Sequence, residues 1–329
     1  MTMTRRAALA GAAVLPLAGL PGPPPAQTPW QFATPNPDGN IHTRNIREFV
    51  AEVERATGGR VAIQLHTNAS LLPMAQIKRG VQQGQVQLGE ILLSAYGNED
   101  PFFELDSIPQ LCRTYDDARR LMNLTRAFIE ERFNRQGLSL LYMVPWPPSG
   151  FYTNFPVESL ESLRGTRFRT FNAMTNRFAT LIGATPTLVQ AAEVPQAFAT
   201  GVVNAMVTSA ATGVDSSAWD FSRIFTPVGF TFTKNAVMVN RRAFQALSAA
   251  DQEAIRTAAR NAEERGWRMS EEAMTAAQAT LAQRGMTIAQ PSAALLAGMD
   301  RISEIMVNEW LARAGEEGQR IINAYRARS

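Results

Sequence analysis

Strand-like and helix-like segments alternate along most of the chain, and this alternation restricts the fold more than any other feature. WQFAT (30–34) is typical of a strand, and residues 42–59 follow as an amphipathic helix that ends at a pair of glycines. RVAIQLHT (60–67) alternates apolar and polar residues as a strand does, and LSLLYMVPW (138–146) is apolar enough to be a strand buried on both faces. This order predicts an α/β protein of parallel sheets flanked by helices.

A basic segment in the middle of the chain places one arginine where α/β folds bind ligands. TRFRTF (166–171) is typical of a strand, AMTNRFATLIGA (173–184) of a helix and TPTLV (185–189) of a short apolar strand. A second helix is predicted to open at Glu193. Arg169 lies at the end of the first strand, the edge at which such a sheet presents side chains to a ligand crevice. We therefore predict that Arg169 binds an anion.

The last third of the chain is predicted to be mostly helical. Residues 249–284 are rich in Ala, Glu and Arg and follow Ser248, a residue type that caps helix N-termini. Gly266 lowers helix stability by about 1 kcal/mol relative to Ala, so the segment is either one long helix or two abutting ones. GMTIAQP (285–291) is typical of a late strand, and residues 293–327 of closing helices.

The first 26 residues have the order of features found in a secretory signal peptide. Arg5 and Arg6 precede an apolar run at 7–20, which is shorter than the roughly 20 residues of a membrane span, and Gly and Pro follow. Cleavage after Ala26 and export to the periplasm are predicted. Thr4 with the two arginines also fits a twin-arginine leader, so general secretion, twin-arginine export and an unstructured tail all stay open.

The charge balance excludes a protein that binds nucleic acid electrostatically. The 329 residues contain 32 Lys and Arg against 29 Asp and Glu, and removal of residues 1–26 takes away two arginines and no acid. The mature chain would be close to neutral and long enough for two domains. Cys112 is the one cysteine, so no internal disulfide can form, and a buried structural thiol is predicted.

Residues suited to catalysis are scarce. His42 and His66 are the two histidines, and the sequence has neither an H-E-x-x-H pattern nor paired cysteines to bind zinc. A G-x-S-x-G nucleophile elbow and a G-x-x-x-x-G-K-[ST] phosphate loop are also missing. The sequence therefore favours a binding protein over an enzyme, and no cofactor or metal is predicted.

Several motifs in register resemble one known family. G-x-x-x-R, then G-A-x-P, then E-V-x-x-A-x-x-x-G-V-V-N is similar to the central signature of the DctP-type solute-binding proteins of TRAP transporters. The matching residues are Gly165, Arg169, Gly183, Ala184, Pro186, Glu193, Val194, Ala197, Gly201, Val202 and Val203. Asn204 replaces the usual Asp. Residues 56–72, 80–90 and 101–111 resemble the family's upstream landmarks, so the resemblance covers nearly the whole chain after the leader.

The resemblance implies an α/β, two-lobed periplasmic binding protein fold of the class II type. Its expected features are central mixed sheets, hinge strands and a long helix spanning both lobes; a helical cap is the alternative place for that helix. We predict that lobe I comprises residues 27–147 and 234–275, and lobe II residues 148–233 and 276–329. The implied partners are a small organic acid and the small and large TRAP membrane subunits, and the receptor is predicted to be a monomer.

The resemblance also implies which residue binds the solute carboxylate. That residue is Arg169, whose planar guanidinium can form two charge-assisted hydrogen bonds to a carboxylate; pairing with a surface acid is the structural alternative. Asn172 is a second candidate donor to the same anion. Where relatives carry Asn after the second helix, this chain has Thr208 with Ser209 beside it, and these hydroxyls are predicted to replace the amide.

Aromatic and first-lobe residues complete the predicted site. Four rings are predicted to line the pocket or, alternatively, to pack in the core and hinge: Trp146, Phe151, Tyr152 and Trp219. The resemblance places four polar residues on the first-lobe side of the cleft: Asn36, Glu90, Ser94 and Tyr96.

Together these residues predict an extracytoplasmic receptor for a small organic acid. One arginine among several rings favours a monocarboxylate, aromatic or branched. The alternatives are a C4-dicarboxylate receptor of the TRAP type, a binding protein of the ABC or tripartite tricarboxylate type, and an exported enzyme or ligand sensor.

Overall fold

The computed structural model describes residues 29–327, and the predicted signal peptide at 1–26 lies outside them. The strands are, in chain order, β1 (Trp30–Ala33), β2 (Ile63–His66), β3 (Leu88–Leu92), β4 (Leu138–Pro145), β5 (Ser149–Thr153), β6 (Arg167–Thr170), β7 (Thr185–Leu188), β8 (Ala205–Ser209), β9 (Ile224–Thr226), β10 (Lys234–Asn240) and β11 (Thr287–Ile288). The helices are α1 (Ile41–Ala56), α2 (Met74–Gln82), α3 (Tyr115–Arg135), α4 (Ala173–Leu181), α5 (Val194–Ala199), α6 (Ala210–Asp215), α7 (Arg241–Gln245), α8 (Ala249–Gln283) and α9 (Ala293–Arg326).

The first sheet has the strand order β2-β1-β3-β10-β4. β1 pairs in parallel with β2 and β3, whereas β10 runs antiparallel to β3 and β4. β10 is buried at every position because helices cover both faces of the sheet interior, which explains the apolar run at 236–239. This sheet and the helices around it form lobe I.

The second sheet has the strand order β11-β9-β5-β8-β6-β7 and forms the centre of lobe II. β6 pairs in parallel with β7 and β8, and β5 runs antiparallel to β8 and β9. The chain passes from lobe I to lobe II before β5 and returns to lobe I before β10. Each of these two strands runs antiparallel to its neighbours in the sheet that it joins. The crossing segments bond to each other, with the Trp146 amide donating to the Thr233 carbonyl at 2.8 Å and the Phe230 amide to the Ser149 carbonyl at 2.7 Å. The predicted mixed sheets and hinge segments are thus present.

The long helix α8 is unbroken and contacts both lobes. Ser248 caps it by accepting a hydrogen bond from the Asp251 amide. The helix packs against α1 and β4 of lobe I and against α6 and β11 of lobe II. Gly266 permits the approach to β4, because a Cβ at this position would lie 2.4 Å from Cγ2 of Val144. The prediction of a long helix spanning both lobes agrees with the structure, and the helical-cap alternative does not.

The last helix, α9, also contacts both lobes, since it packs against α4 and α3. Trp310 donates its indole N–H to the Pro101 carbonyl at 2.6 Å, and the Tyr325 hydroxyl donates to the Leu111 carbonyl at 2.9 Å. The lobe boundaries stay a prediction, and these contacts argue for assigning the C-terminal half of α9 to lobe I.

Cys112 is buried in the core of lobe I, as its isolation in the sequence predicted. Its Sγ lies 3.5 Å from the Tyr325 hydroxyl oxygen. Burial raises the pKa of the Cys112 thiol to about 12, so the thiol stays protonated at neutral pH.

Candidate functional site

A cleft of about 570 Å³ lies between the two lobes. Loops that follow β1 and β2 line one side of it, and residues at the ends of β6, β7 and β8 line the other. The carboxyl ends of strands in open α/β sheets are the usual place for ligands, because the loops there diverge and leave a crevice. Five of the predicted site residues line this cleft: Asn36, Trp146, Arg169, Thr208 and Ser209.

Arg169 is held at the end of β6 by one backbone carbonyl. Its Nε donates to the Val189 oxygen at 2.9 Å, and the Val189 amide in turn donates to the Thr170 oxygen at 3.1 Å. The guanidinium carbon lies 5.4 Å from the centroid of the Phe171 ring, a cation–π distance. Within the described residues neither Nη group has a hydrogen-bond partner, so both are available to a ligand.

The Arg169 charge is buried without a counter-ion. The residue is 3 % exposed, and burial lowers the pKa of its guanidinium to about 10, which still leaves it cationic at neutral pH. No Asp or Glu of residues 29–327 forms a salt bridge with it, and the alternative of a surface ion pair is therefore not what the structure shows. A buried charge with no partner is strongly unfavourable, and a bound anion removes that cost.

Two hydroxyl residues at the end of β8 face the same cleft. Ser209 caps α6, with its Oγ accepting from the Thr212 amide at 3.1 Å. The Ser209 hydroxyl also lies 3.1 Å from Oγ1 of Thr212. Thr208 is 6 % exposed and its hydroxyl has no partner among the described residues. Thr208 is thus the hydroxyl of this pair that is free to bond to a solute.

Lobe I contributes an amide network built around the buried carboxyl group of Glu90. Asn36 donates its Nδ2 to Oε2 of Glu90 at 2.8 Å, and the Thr34 hydroxyl donates to the same oxygen at 2.5 Å. Asn235 is a further hydrogen-bond partner of Glu90, and its Oδ1 accepts the indole N–H of Trp146 at 2.8 Å. Glu90 does not line the cleft itself; it lies behind the amides that do.

Burial shifts the pKa values of two titratable groups in this network. Burial raises the pKa of Glu90, and its hydrogen bonds from Thr34, Asn235 and Asn36 act in the opposite direction. Burial also lowers the pKa of His42 to about 3, so the imidazole is neutral at pH 7. Its ring lies 4.3 Å from that of Trp146, and its Nδ1 lies 3.6 Å from Oε1 of Glu90. Arg169 is the one Lys or Arg among the described residues that line the cleft.

Two sets of hydrogen bonds join the lobes next to the cleft. Asn172 caps α4 and donates its Nδ2 to the hydroxyls of Ser94 at 2.9 Å and Ser107 at 3.1 Å. Asn172 and Ser94 were both predicted to contact the solute, but they bond to each other across the lobes and do not line the cleft. Asn40, the cap of α1, donates its Nδ2 to Oδ2 of Asp215 at 2.6 Å.

Four further predicted residues lie away from the cleft lining. Phe151 is fully buried among other Phe side chains, and Tyr152 is fully buried with its hydroxyl donating to the Ser209 carbonyl at 3.0 Å. Both point into the core because β5 is an interior strand covered on both faces. Trp219 packs beneath the Arg284 guanidinium, and Tyr96 donates to the Met74 carbonyl at 2.8 Å.

The cleft lining also includes residues that were not predicted, among them Phe171, Asp215 and Asn235. Phe171 had a usable signal, since it follows the strand that ends in Arg169. Asp215 is the last residue of α6, the short helix after β8. Its position near the cleft also follows from the order of elements in the sequence. Asn235 reaches the cleft only because β10 inserts between β3 and β4, and no local pattern reveals that pairing.

Two features are absent from residues 29–327. These residues contain no cluster of His, Cys, Asp or Glu arranged to hold a metal ion. In the same part of the chain, no helix is both long and apolar enough to cross a membrane.

Solved structures similar to this chain are solute receptors. DctP7 of Bordetella pertussis, an extracytoplasmic solute receptor binding pyroglutamic acid, is 44 % identical, with a TM-score of 0.89 over 91 % of this chain and 100 % of its own. DctP6 of the same organism, which binds the same acid, is 40 % identical, with a TM-score of 0.90 over 92 % and 100 %. A TRAP solute-binding protein from an unidentified marine microbe, specific for pyroglutamate, is 32 % identical, with a TM-score of 0.89 over 92 % and 99 %.

The family assignment rests on most of the chain. The model of the DctP family, described as bacterial extracellular solute-binding protein, family 7, matches residues 32–313. This range includes the α8 helix, both sheets and every residue placed at the cleft above. Its members are solute receptors and not enzymes, in agreement with the sequence prediction. The chain therefore belongs to the DctP family and is an extracytoplasmic solute receptor of the TRAP transporter type.

Proposed function

We propose that the solute of this receptor is pyroglutamate, a small cyclic monocarboxylate. The three similar structures described above all concern receptors for this acid, at 32 % to 44 % identity and with nearly complete coverage. The proposal keeps the monocarboxylate predicted from the sequence and replaces its aromatic or branched body with a lactam ring. The ring-rich pocket that favoured an aromatic acid is reduced to Trp146 and Phe171, because the other predicted rings do not line the cleft.

The single observation that carries this proposal is the charge of the cleft. Arg169 is the one Lys or Arg among the described residues that line it, and Glu193 and Asp215 line it as well. One guanidinium neutralises one carboxylate, whereas a second carboxylate on the solute would meet two acidic residues and no second cation. The cleft therefore favours a monocarboxylate over a C4-dicarboxylate.

The proposed mechanism is a clamp between the two lobes. The solute carboxylate bonds to both Nη groups of Arg169, and lobe I then closes over the ring with Asn36 and Trp146. Closure is favoured only by as much as the solute binds the closed form better than the open one. The closed receptor, which we propose to be monomeric, would deliver the solute to the small and large TRAP membrane subunits.

Export follows from the same proposal, because the family acts outside the cytoplasm. We propose that residues 1–26 are the signal peptide and that the mature receptor works in the periplasm. Detection of a mature protein that starts near Gln27 in the periplasmic fraction would test this assignment.

Isothermal titration calorimetry on protein freed of solute by unfolding and refolding tests the ligand. We expect binding of pyroglutamate at micromolar or lower concentration, and at least tenfold weaker binding of succinate and of phenylacetate. Arg169→Ala should weaken pyroglutamate binding about 100-fold, because the loss of two hydrogen bonds to a charged group, at the lower end of roughly 1.5 to 3 kcal/mol each, costs about 3 kcal/mol.

Arg167→Ala is the matched control for this titration. Arg167 lies on the same strand two residues earlier, is exposed and does not line the cleft, so its removal should leave affinity within about twofold. Tight succinate binding with no pyroglutamate binding would overturn the ligand proposal, and unchanged affinity in Arg169→Ala would overturn the role of Arg169.

A further inference from the structure

The carboxyl group of Glu90 is surrounded by neutral donors and has no cation next to it. It is 1 % exposed and accepts from the Thr34 hydroxyl at 2.5 Å and from Nδ2 of Asn36 at 2.8 Å. The Asn235 amide is its third partner. Burying such a group costs free energy, so its benefit to the protein must lie in the groups that it orients.

One of the amides that Glu90 holds has its carbonyl free. Because the Asn36 amide nitrogen faces Glu90, its Oδ1 is turned the other way, and Asn36 lines the cleft. Among residues 29–327 this Oδ1 accepts no hydrogen bond. The backbone of Asn36 is fixed as well, since its amide donates to the Thr34 hydroxyl at 3.3 Å and its carbonyl accepts from the Asn68 amide at 2.8 Å.

In the second amide, that of Asn235, both the nitrogen and the oxygen already have hydrogen-bond partners. Asn235 bonds to Glu90 through its amide group and accepts the indole N–H of Trp146 at Oδ1. Its carbonyl is thus occupied in orienting Trp146, whose ring forms part of the cleft lining. Of the two amides, Asn36 is the one that presents an acceptor to a solute.

We propose that Glu90 is a positioning residue that makes this cleft selective for a solute carrying an N–H group. Glu90 fixes the Asn36 amide with its oxygen toward the cleft, and that oxygen accepts the ring N–H of a lactam whose carboxylate is bound by Arg169. The inference rests on the proposed function and adds to it the group that distinguishes a lactam acid from other small monocarboxylates.

The lactone with the same ring, 5-oxotetrahydrofuran-2-carboxylate, is the probe for this selectivity. It keeps the carboxylate and the ring carbonyl of pyroglutamate and replaces only the N–H by an ether-type oxygen. In the cleft that oxygen would face Oδ1 of Asn36, so two acceptors would meet with no hydrogen between them. A site built to bond an N–H rejects an analogue that lacks it, and we expect the lactone to bind at least tenfold more weakly.

The experiment compares lactam and lactone affinities in three proteins. In Glu90→Gln the new amide can either donate or accept, so Asn36 is no longer held in one orientation; we expect the lactam-to-lactone preference to fall to about threefold or less. Asn36→Ala removes the acceptor itself and should have the same effect, which keeps the test decisive if Glu90→Gln folds poorly. Glu48→Gln, an exposed acid on α1, is the matched control and should keep the wild-type preference.

The outcomes separate the two proposals. If the wild-type protein binds lactam and lactone equally, the inference fails while the proposed function stands. If it binds neither, the proposed function fails. If Glu90→Gln weakens both ligands by the same factor and leaves their ratio unchanged, Glu90 has a purely structural role and the positioning role is overturned.

Discussion

Arg169 and Glu90 are two buried ionisable residues on opposite sides of one cleft, and their surroundings differ. Arg169 has one hydrogen bond to a backbone carbonyl and no acidic partner among the described residues. Glu90 has bonds from Thr34 and Asn36 and a third partner in Asn235. The first residue lacks the partner that a solute can supply, and the second has its partners already.

The difference teaches how a receptor can divide binding from selection. A cation left without a partner gains most when an anion arrives, so we propose that Arg169 supplies most of the affinity. A carboxyl group saturated by neutral donors gains nothing directly from the solute. It instead fixes the direction of the groups around it, and in our proposal Glu90 thereby determines which solute fits.

Arg169→Met is the substitution with the largest expected effect, and it tests whether Arg169 serves binding and not folding. Methionine has a similar length and no charge, so it should lower pyroglutamate affinity about 100-fold while leaving the melting temperature of the solute-free protein within about 3 °C of wild type. Removal of an unpaired buried charge relieves a cost, and this offsets the lost bond to Val189. Differential scanning calorimetry without solute measures the second effect; a fall of roughly 10 °C would mean that Arg169 is needed for the fold.

A second prediction concerns the pH dependence that Glu90 brings to stability. Burial raises the pKa of Glu90 above its ordinary 4.5 in the folded protein, so the unfolded chain loses this proton first as pH rises. The stability that Glu90 contributes is therefore fully present below pH 4.5 and is lost as pH rises through its folded pKa. The melting temperature of wild type relative to Glu90→Gln should therefore fall as pH rises from 4.5 to 7.

Because the other buried acids titrate in both of these proteins, the difference between them isolates Glu90. Asp215 and Glu104 also have raised pKa values, and their contributions cancel in the comparison. A difference that stays flat with pH would show that the three neutral donors fully offset the burial of Glu90.

The smallest expected effect belongs to Asp215→Asn. Asp215 lines the cleft on the same side as Arg169 and repels an anionic solute, while its Oδ2 accepts from Asn40 across the lobes. Asn can still accept that hydrogen bond, so only the charge is removed. We expect affinity for pyroglutamate to rise about twofold at low ionic strength and the gain to disappear at high salt. A loss of affinity in titrations at both salt concentrations would mean that the ion, and not the hydrogen bond alone, holds the lobes together.

Much of the fold followed from periodicity and caps in the sequence. The helix predicted at 42–59 is α1 at Ile41–Ala56, the strand at 138–146 is β4 at Leu138–Pro145, and the helix at 249–284 is α8 at Ala249–Gln283. The position of Arg169 at the end of a parallel strand was also predictable, because strand ends in α/β folds follow from element order.

The interior of the site depended on pairing that sequence order does not specify. Phe151 and Tyr152 were expected near a ligand because they follow the first crossing, yet β5 is an interior strand and buries both. Asn172 and Ser94 meet each other only because the two lobes come together there. The partnership of Glu90 with Asn36 and Asn235 joins β3, β10 and the loop after β1, and it has no local signature.

The buried thiol of Cys112 has a practical consequence for watching the lobes move. Thiol-directed dyes react with the thiolate, and a pKa of about 12 together with 2 % exposure leaves almost none to react at neutral pH. Cysteines introduced on the exposed faces of α4 and α8 can therefore be labelled selectively without first removing the native one. Closure of the lobes can therefore be followed by fluorescence in a protein that keeps its native Cys112.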